Sequence, residues 1–268
     1  MKLLNGLELA GYIKERQAHE VRSLRQSKHV QPKLAIVVTI EHPAIDVYMR
    51  MKQQYGADIG VLVDVHRVGQ AEAPELIARL NEDTSVQGII VQLPLADPAQ
   101  TDAICDLVDP GKDADALGSQ AVLDPATPQA ILWLLAGYNI DLAGKKIVLV
   151  GRGKLVGAPL ERMLRTSGYD VESVDVHTPN VPEVVKAADV IVTATGVPRL
   201  ITKDMVKPCA VVVDAGTASE AGKIVGDAAP ELYERDDLTI TPIKGGVGPL
   251  TICALFDNLI RASRASVA

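Results

Sequence analysis

Short apolar runs rich in β-branched residues recur along this chain, and they leave few folds open to it. Residues 34–40, 88–93, 146–150, 171–176, 190–195, 210–214 and 238–240 each read as one buried strand. Between them, residues 7–26, 44–55, 73–80, 128–136 and 158–166 have helical periodicity, and a last helix follows Pro249. Such alternation predicts an α/β fold with parallel sheets and right-handed helical crossovers. Composition agrees, because aromatics are only 3% of a chain that is 47% hydrophobic. The interior must therefore be filled by Val, Ile, Leu and Ala, as in parallel strands covered on both faces. A length of 268 residues accommodates two domains. The first half runs to about residue 124 and the second opens with the helix after Pro128.

A net charge of -7 provides no basic face for neutralising phosphates, so nucleic acid is not an expected partner. Cys105, Cys209 and Cys253 have neither paired nor metal-like spacing and read as packing thiols, with no metal expected. The first sixteen residues include Glu8, Lys14 and Glu15 and no continuous apolar core, and no later run is long enough to span a bilayer. A cytoplasmic protein without membrane association is expected.

The strand at 146–150 runs into Gly151-Arg-Gly-Lys-Leu-Val-Gly157, and a helix opens near Pro159. A glycine-rich turn between strand and helix lets backbone N–H groups approach a pyrophosphate, with the positive helix end behind them. The candidate cofactor residues here are Gly151, Arg152, Gly153, Val156 and Gly157. The spacing is one residue longer than the common dinucleotide fingerprint, so context matters. Asp175 ends the next strand, where an acidic side chain can accept from the adenine ribose hydroxyls. Thr195 and Gly196, and then Gly216, end two further strands where loops could skirt a cofactor. Three ordinary strand-to-helix turns are the plain alternative.

In the first half, Tyr48 and Lys52 stand at i and i+4 on one helix face. A partly desolvated lysine can transfer protons, although a surface lysine lying along a tyrosine ring has the same spacing. Gln92 and Leu93 end an apolar strand just before Pro94, at the sheet edge where α/β active sites lie. Residues 110–115 crowd turn formers with Asp113 and Asp115, which alone reads as a solvated loop. Near the end, residues 241–251 include Gly245, Gly246, Gly248, Pro242 and Pro249, a rigid turn that lets backbone approach a planar ligand.

Together these strings resemble the bifunctional methylenetetrahydrofolate dehydrogenase/methenyltetrahydrofolate cyclohydrolase family, in order along nearly the whole chain. Its Tyr and Lys motif matches Tyr48 and Lys52, its Gln-Leu-Pro-Leu-Pro matches 92–95, and its Lys-Asp-x-Asp-Gly matches 112–115. Its Gly-Arg-Ser-x-x-Val-Gly-x-Pro matches 151–159, and its Thr-Pro-x-Pro-Gly-Gly-Val-Gly-Pro-Met-Thr matches 241–251. The resemblance implies a catalytic, folate-binding domain of residues 1–124 plus 249–268, the last helix returning to it, beside a Rossmann-like domain of residues 125–248. It further implies folate in the cleft and a homodimer formed through the Rossmann domain. By match, Lys52 mediates proton transfer in the cyclohydrolase step, Gln92 assists, Tyr48 packs on the folate and Asp115 binds the pterin. Leu93, Gly245, Gly246 and Pro249 join them as substrate-binding positions. The implied reactions oxidise 5,10-methylenetetrahydrofolate to the methenyl form with NADP or NAD, then hydrolyse it to 10-formyltetrahydrofolate.

Several positions depart from the family pattern. Ile45 replaces a serine, Ala116 a glycine, Ala126 a cysteine and Lys244 a proline. The family often uses NADP, yet its serine after the arginine is Gly153 here, and its His-Ser pair falls on Asp175 and Val176. An aspartate repels a 2'-phosphate and accepts from a ribose diol, so the residues lean to NAD. The departures also leave open a catalytically impaired regulator that binds folate or dinucleotide, and a dehydrogenase without cyclohydrolase activity. Retention of Lys52, Gln92 and Asp115 argues against the regulator. An amino-acid or hydroxy-acid dehydrogenase would explain residues 151–157 and leave 245–249 unexplained.

Overall fold

The β-branched runs do form parallel strands. In the computed structural model, which describes residues 1–220 and 223–266, the strands in chain order are β1 (Lys2–Leu3), β2 (Lys33–Val38), β3 (Leu62–Arg67), β4 (Gly88–Gln92), β5 (Ile147–Val150), β6 (Val171–Val174), β7 (Val190–Thr193), β8 (Val211–Asp214), β9 (Ala218–Glu220), β10 (Lys223–Val225) and β11 (Thr239–Ile240). The helices are α1 (Gly6–Ser27), α2 (Pro43–Ile59), α3 (Ala73–Glu82), α4 (Thr101–Cys105), α5 (Ala126–Gly137), α6 (Gly157–Thr166), α7 (Val181–Lys186) and α8 (Val247–Ala265). The chain divides into two units, one of Gly11–Ala126 and Ile252–Ala268, the other of Met1–Ala10 and Thr127–Thr251.

The first unit holds a three-stranded parallel sheet in the order β3-β2-β4. The central strand β2 is buried from Leu34 to Val38, as a strand covered on both faces must be. On one face, Ala35, Val37, Ile89 and Val91 pack with Leu76, Ile77 and Leu80 of α3. Phe256 of α8 is fully buried and meets the Tyr55 ring of α2 at a centroid distance of 5.0 Å. A side chain of that size contributes about 1.5–3 kcal/mol by burial. Gly88 lets α8 come close, because a Cβ there would stand 2.6 Å from Leu259 Cδ1. Strand β3 is absent from the expected strands. Its residues alternate between exposed and half-buried, as an edge strand's do, so it lacks the continuous apolar run of the others.

The second unit is built on a six-stranded parallel sheet in the order β1-β11-β8-β7-β5-β6. Its strand order reverses between β5 and β7, which makes the crevice at their carboxyl ends the place for a nucleotide. Residues 1–10, expected with the first half, belong to this unit instead. Lys2 and Leu3 pair in parallel with Thr239 and Ile240, and Leu4 N donates to Ile240 O at 2.9 Å. Two residues are too short to read as a strand from their own sequence. The segment then meets residues 245–246: Leu7 N donates to Gly245 O at 2.9 Å, and a Cβ on Gly6 would lie 1.9 Å from Gly246 O.

Cys105 and Cys253 are buried as expected, whereas Cys209 is exposed, in a turn with φ +61°. A left-handed turn residue between strands has no core to face, which overrides the apolar character of the thiol. Among the described residues no helix is long and apolar enough to cross a membrane.

Candidate active site

Lys52 lies on the buried stripe of α2. Proline at the first position of that helix fixes its start, and Ile45, Met49, Gly56 and Ile59 repeat at helical spacing on its inner face. Lys52 falls in the middle of this row and is only 9% exposed, which rules out the surface-lysine alternative. Its Nζ donates to Gln92 Oε1 at 2.9 Å. Gln92 ends β4, and its own Nε2 donates to Leu93 O at 2.8 Å, so the amide is turned with its oxygen toward the lysine. Burial lowers the Lys52 pKa from the usual lysine value, with the Asp115 carboxylate opposing; burial likewise raises that of Asp115, with Lys52 opposing. Tyr48, one turn earlier, is 38% exposed and presents its ring rather than burying it. Ile45 is 3% exposed, so the residue standing where the family has serine is part of the core.

The loop carrying Asp115 is tied down on three sides. Ile89 N donates to Lys112 O at 2.7 Å, which lays the loop along β4. Lys112 Nζ donates to the carbonyls of Leu80, Asn81 and Asp83, covering the open end of α3. Asn258 of α8, fully buried, donates to Ala114 O at 3.0 Å and to Asp124 O at 2.7 Å. Asp113 points inward and accepts from Gly118 N at 2.8 Å. Burial raises its pKa to about 6, against the pull of that hydrogen bond. Ala116, where the family has glycine, adopts φ +54°, a left-handed conformation that glycine takes without strain.

In the second unit the turn after β5 has the form a dinucleotide needs. Gly151 adopts φ +102°, and a Cβ on Gly157 would fall 1.9 Å from Gly151 O, so the first turn of α6 sits directly on the loop. Val156, at the N-cap, supplies no side-chain cap to the N–H groups of α6. Gly153 is different: a Cβ there meets nothing within 4 Å, so packing does not require glycine. Asp175 follows β6 and accepts from His177 N at 2.9 Å and Thr178 Oγ1 at 3.2 Å. The His177 backbone bond, foremost, holds its carboxyl below the usual carboxylate range. Val176 beside it is 91% exposed.

Thr195 is held by a carboxylate that the sequence does not announce. Asp227 Oδ2 accepts from Thr193 Oγ1 at 2.6 Å, Thr195 N at 2.7 Å and Thr195 Oγ1 at 2.8 Å. Its Oδ1 accepts no hydrogen bond and faces Gly216, where a Cβ would stand 2.1 Å away. Asp214 in turn accepts from the backbone of Gly216, Asp227 and Ala228. These bonds join the strand-end loops after β7 and β8.

The residues expected from sequence to meet substrate are divided between the two units. Tyr48, Lys52, Gln92, Leu93 and Asp115 are in the first; Gly245, with φ +82°, Gly246 and Pro249 are in the second. Lys244 beside them is exposed.

Residues 4–115 match the model of the tetrahydrofolate dehydrogenase/cyclohydrolase catalytic domain, and residues 125–267 match that family's NAD(P)-binding domain. The chain belongs to the tetrahydrofolate dehydrogenase/cyclohydrolase family. It is 38% identical to the bifunctional protein FolD of Maridesulfovibrio salexigens, covering 100% of this chain and 99% of that one. The bifunctional FolD of Campylobacter jejuni superposes with a TM-score of 0.94 at 34% identity, covering 99% of both chains. A Trypanosoma brucei FolD complexed with NADP and an inhibitor superposes with a TM-score of 0.92 at 28% identity, covering 99% of this chain and 98% of that one.

Asn258 and Asp227 are residues that motif reading passes over. A single asparagine in the apolar stretch 252–260 is a detectable signal, since burial of an amide calls for partners. An aspartate after Gly226 carries no such mark.

Proposed function

We propose that Lys52, held by Gln92 and set beside Asp115, is the acid/base of methenyltetrahydrofolate hydrolysis in a bifunctional methylenetetrahydrofolate dehydrogenase/cyclohydrolase. The single supporting observation is the 2.9 Å bond from a desolvated lysine to an oriented glutamine on the adjoining strand end. A lowered pKa makes the neutral amine more accessible than that of an ordinary lysine. That amine takes a proton from water as the new C–O bond forms at the methenyl carbon. The C–N5 bond then breaks, N5 takes up a proton, and 10-formyltetrahydrofolate is left. Gln92 fixes the direction of the amine, the Tyr48 ring packs on the folate, and Asp115 accepts from the pterin. Leu93, Gly245, Gly246 and Pro249 complete the substrate contacts.

For the oxidation step, NAD(P) supplies the hydride acceptor. The residues fit it: Gly151 and Gly157 leave no room for side chains where backbone must approach a pyrophosphate, and Arg152, Gly153 and Val156 complete that turn. Thr195, Gly196 and Gly216 border the half of the crevice away from β6. The protein's part is to place the methylene carbon and exclude alternatives, since the transfer needs positioning above all.

NAD is the preferred nucleotide. Asp175 presents an anion where the second Rossmann strand meets the adenine ribose, and Gly153 offers no hydroxyl although space for one exists. The enzyme works as a homodimer through its nucleotide-binding unit, in a reducing cytoplasm, to which the buried thiols of Cys105 and Cys253 are suited.

Incubation with methylenetetrahydrofolate and either nucleotide, followed by nicotinamide and methenyl absorbance, tests both steps. Lys52→Met should let methenyl accumulate without hydrolysis; undiminished hydrolysis overturns the lysine's role. A wild-type kcat/KM favouring NADP overturns the nucleotide preference, and light scattering tests the dimer.

A further inference from the structure

Arg152 follows the first glycine of the nucleotide loop, and its charge is felt at Asp175, the residue placed at the adenine ribose. An arginine in that position is the group that accommodates a 2'-phosphate in NADP-dependent Rossmann sites. Here it is engaged elsewhere. Its Nε faces Glu161 Oε2 at 3.3 Å, and the other oxygen of the same carboxylate meets Arg165 Nη2 at 2.9 Å. The Glu161 side chain is only 11% exposed, whereas both arginines are more than half exposed. Arg165 is anchored independently, donating to Val171 O at 3.0 Å.

We propose that Glu161 is a specificity-determining residue that holds Arg152 away from a 2'-phosphate and so disfavours NADP. Its role concerns the same ribose as Asp175 and rests on the dinucleotide reading above. Two effects act together. To reach a phosphate, Arg152 must leave a partly buried carboxylate, which then keeps Arg165 alone. The carboxylate also offsets the positive charge that Arg152 would otherwise present to a phosphate. Glutamate on the inner face of α6 is a poor packing choice for its own sake, since that face otherwise buries Leu160 and Leu164.

The test measures dehydrogenase kcat/KM with NAD and with NADP for wild type, Glu161→Gln and the double variant Glu161→Gln/Arg152→Ala. Hydrolysis at Lys52 and the thermal midpoint serve as controls for folding. Glutamine keeps the shape and removes the charge, so the NADP-to-NAD ratio should rise roughly tenfold, and adding Arg152→Ala should abolish the gain. An unchanged ratio in a folded Glu161→Gln protein overturns the proposal, as does a gain that survives the loss of Arg152. The wild-type ratio alone judges the NAD preference. An enzyme that favours NADP yet still gains in Glu161→Gln would refute that preference and leave the role of Glu161 standing.

Discussion

Asn258 donates to the carbonyl of Ala114, so α8 holds the residue next to Asp115. Replacing it with alanine removes this bond and the one to Asp124, and leaves two carbonyls without a donor. A loss of roughly 2–4 kcal/mol in unfolding free energy is expected by denaturant titration. A raised KM for folate in the surviving folded protein should accompany it.

The pH profile of hydrolysis reports on Lys52. The neutral amine is the base, so kcat/KM should climb with pH through a pKa below the ordinary lysine value, burial being the cause. Asp115 opposes that lowering, so Asp115→Asn should move the rise to lower pH as well as weaken folate binding. A rise at higher pH in that variant contradicts the coupling.

Asp113 makes stability depend on pH in the unusual direction for a carboxylate. Its folded pKa of about 6 lies above the ordinary aspartate value of 3.8, so protonation favours the folded state. The associated stabilisation is fully present below the unfolded pKa and is lost as pH rises through about 6. Going from about pH 7 to about pH 5, wild type should gain roughly 1 kcal/mol relative to Asp113→Asn. Parallel stability curves for the two proteins would show the assignment to be mistaken.

Ala116 sits in a left-handed conformation that glycine adopts freely. Ala116→Gly should therefore raise stability by about 0.5–1 kcal/mol, the relief of strain exceeding glycine's extra chain entropy. Calorimetry decides it; a lower midpoint would mean that the Cβ makes compensating contacts.

Asp227 holds the end of β7 and the loop after it, with three hydrogen bonds on one oxygen. Asp227→Ala should reduce dehydrogenase kcat/KM by about a hundredfold while hydrolysis at Lys52 changes little. Asp227→Asn, which keeps an acceptor, should recover part of the loss. Equal loss of both activities would indicate general unfolding instead.

The strands with continuous apolar runs were legible from sequence because burial on both faces leaves no polar alternation to confuse them. The edge strand β3 and the two-residue β1 were not, since each depends on its neighbour for definition. Lys52 and Gln92 could be singled out, but only the buried stripe of α2 showed that the lysine faces inward. Asp227 and Glu161 act through partners distant in sequence or on a neighbouring turn, so no local pattern betrays them, whereas Asn258 shows only as an amide in an apolar stretch.

The pairing of β1 with β11 has a consequence for biosynthesis. Lys2 and Leu3 leave the ribosome long before their partner strand at Thr239–Ile240. At about 5–20 residues per second, this segment waits on the order of ten seconds or more for its place in the sheet. Until then its apolar side chains, Leu3 and Leu4 among them, are available to a chaperone, and the six-stranded sheet closes only once β11 has emerged.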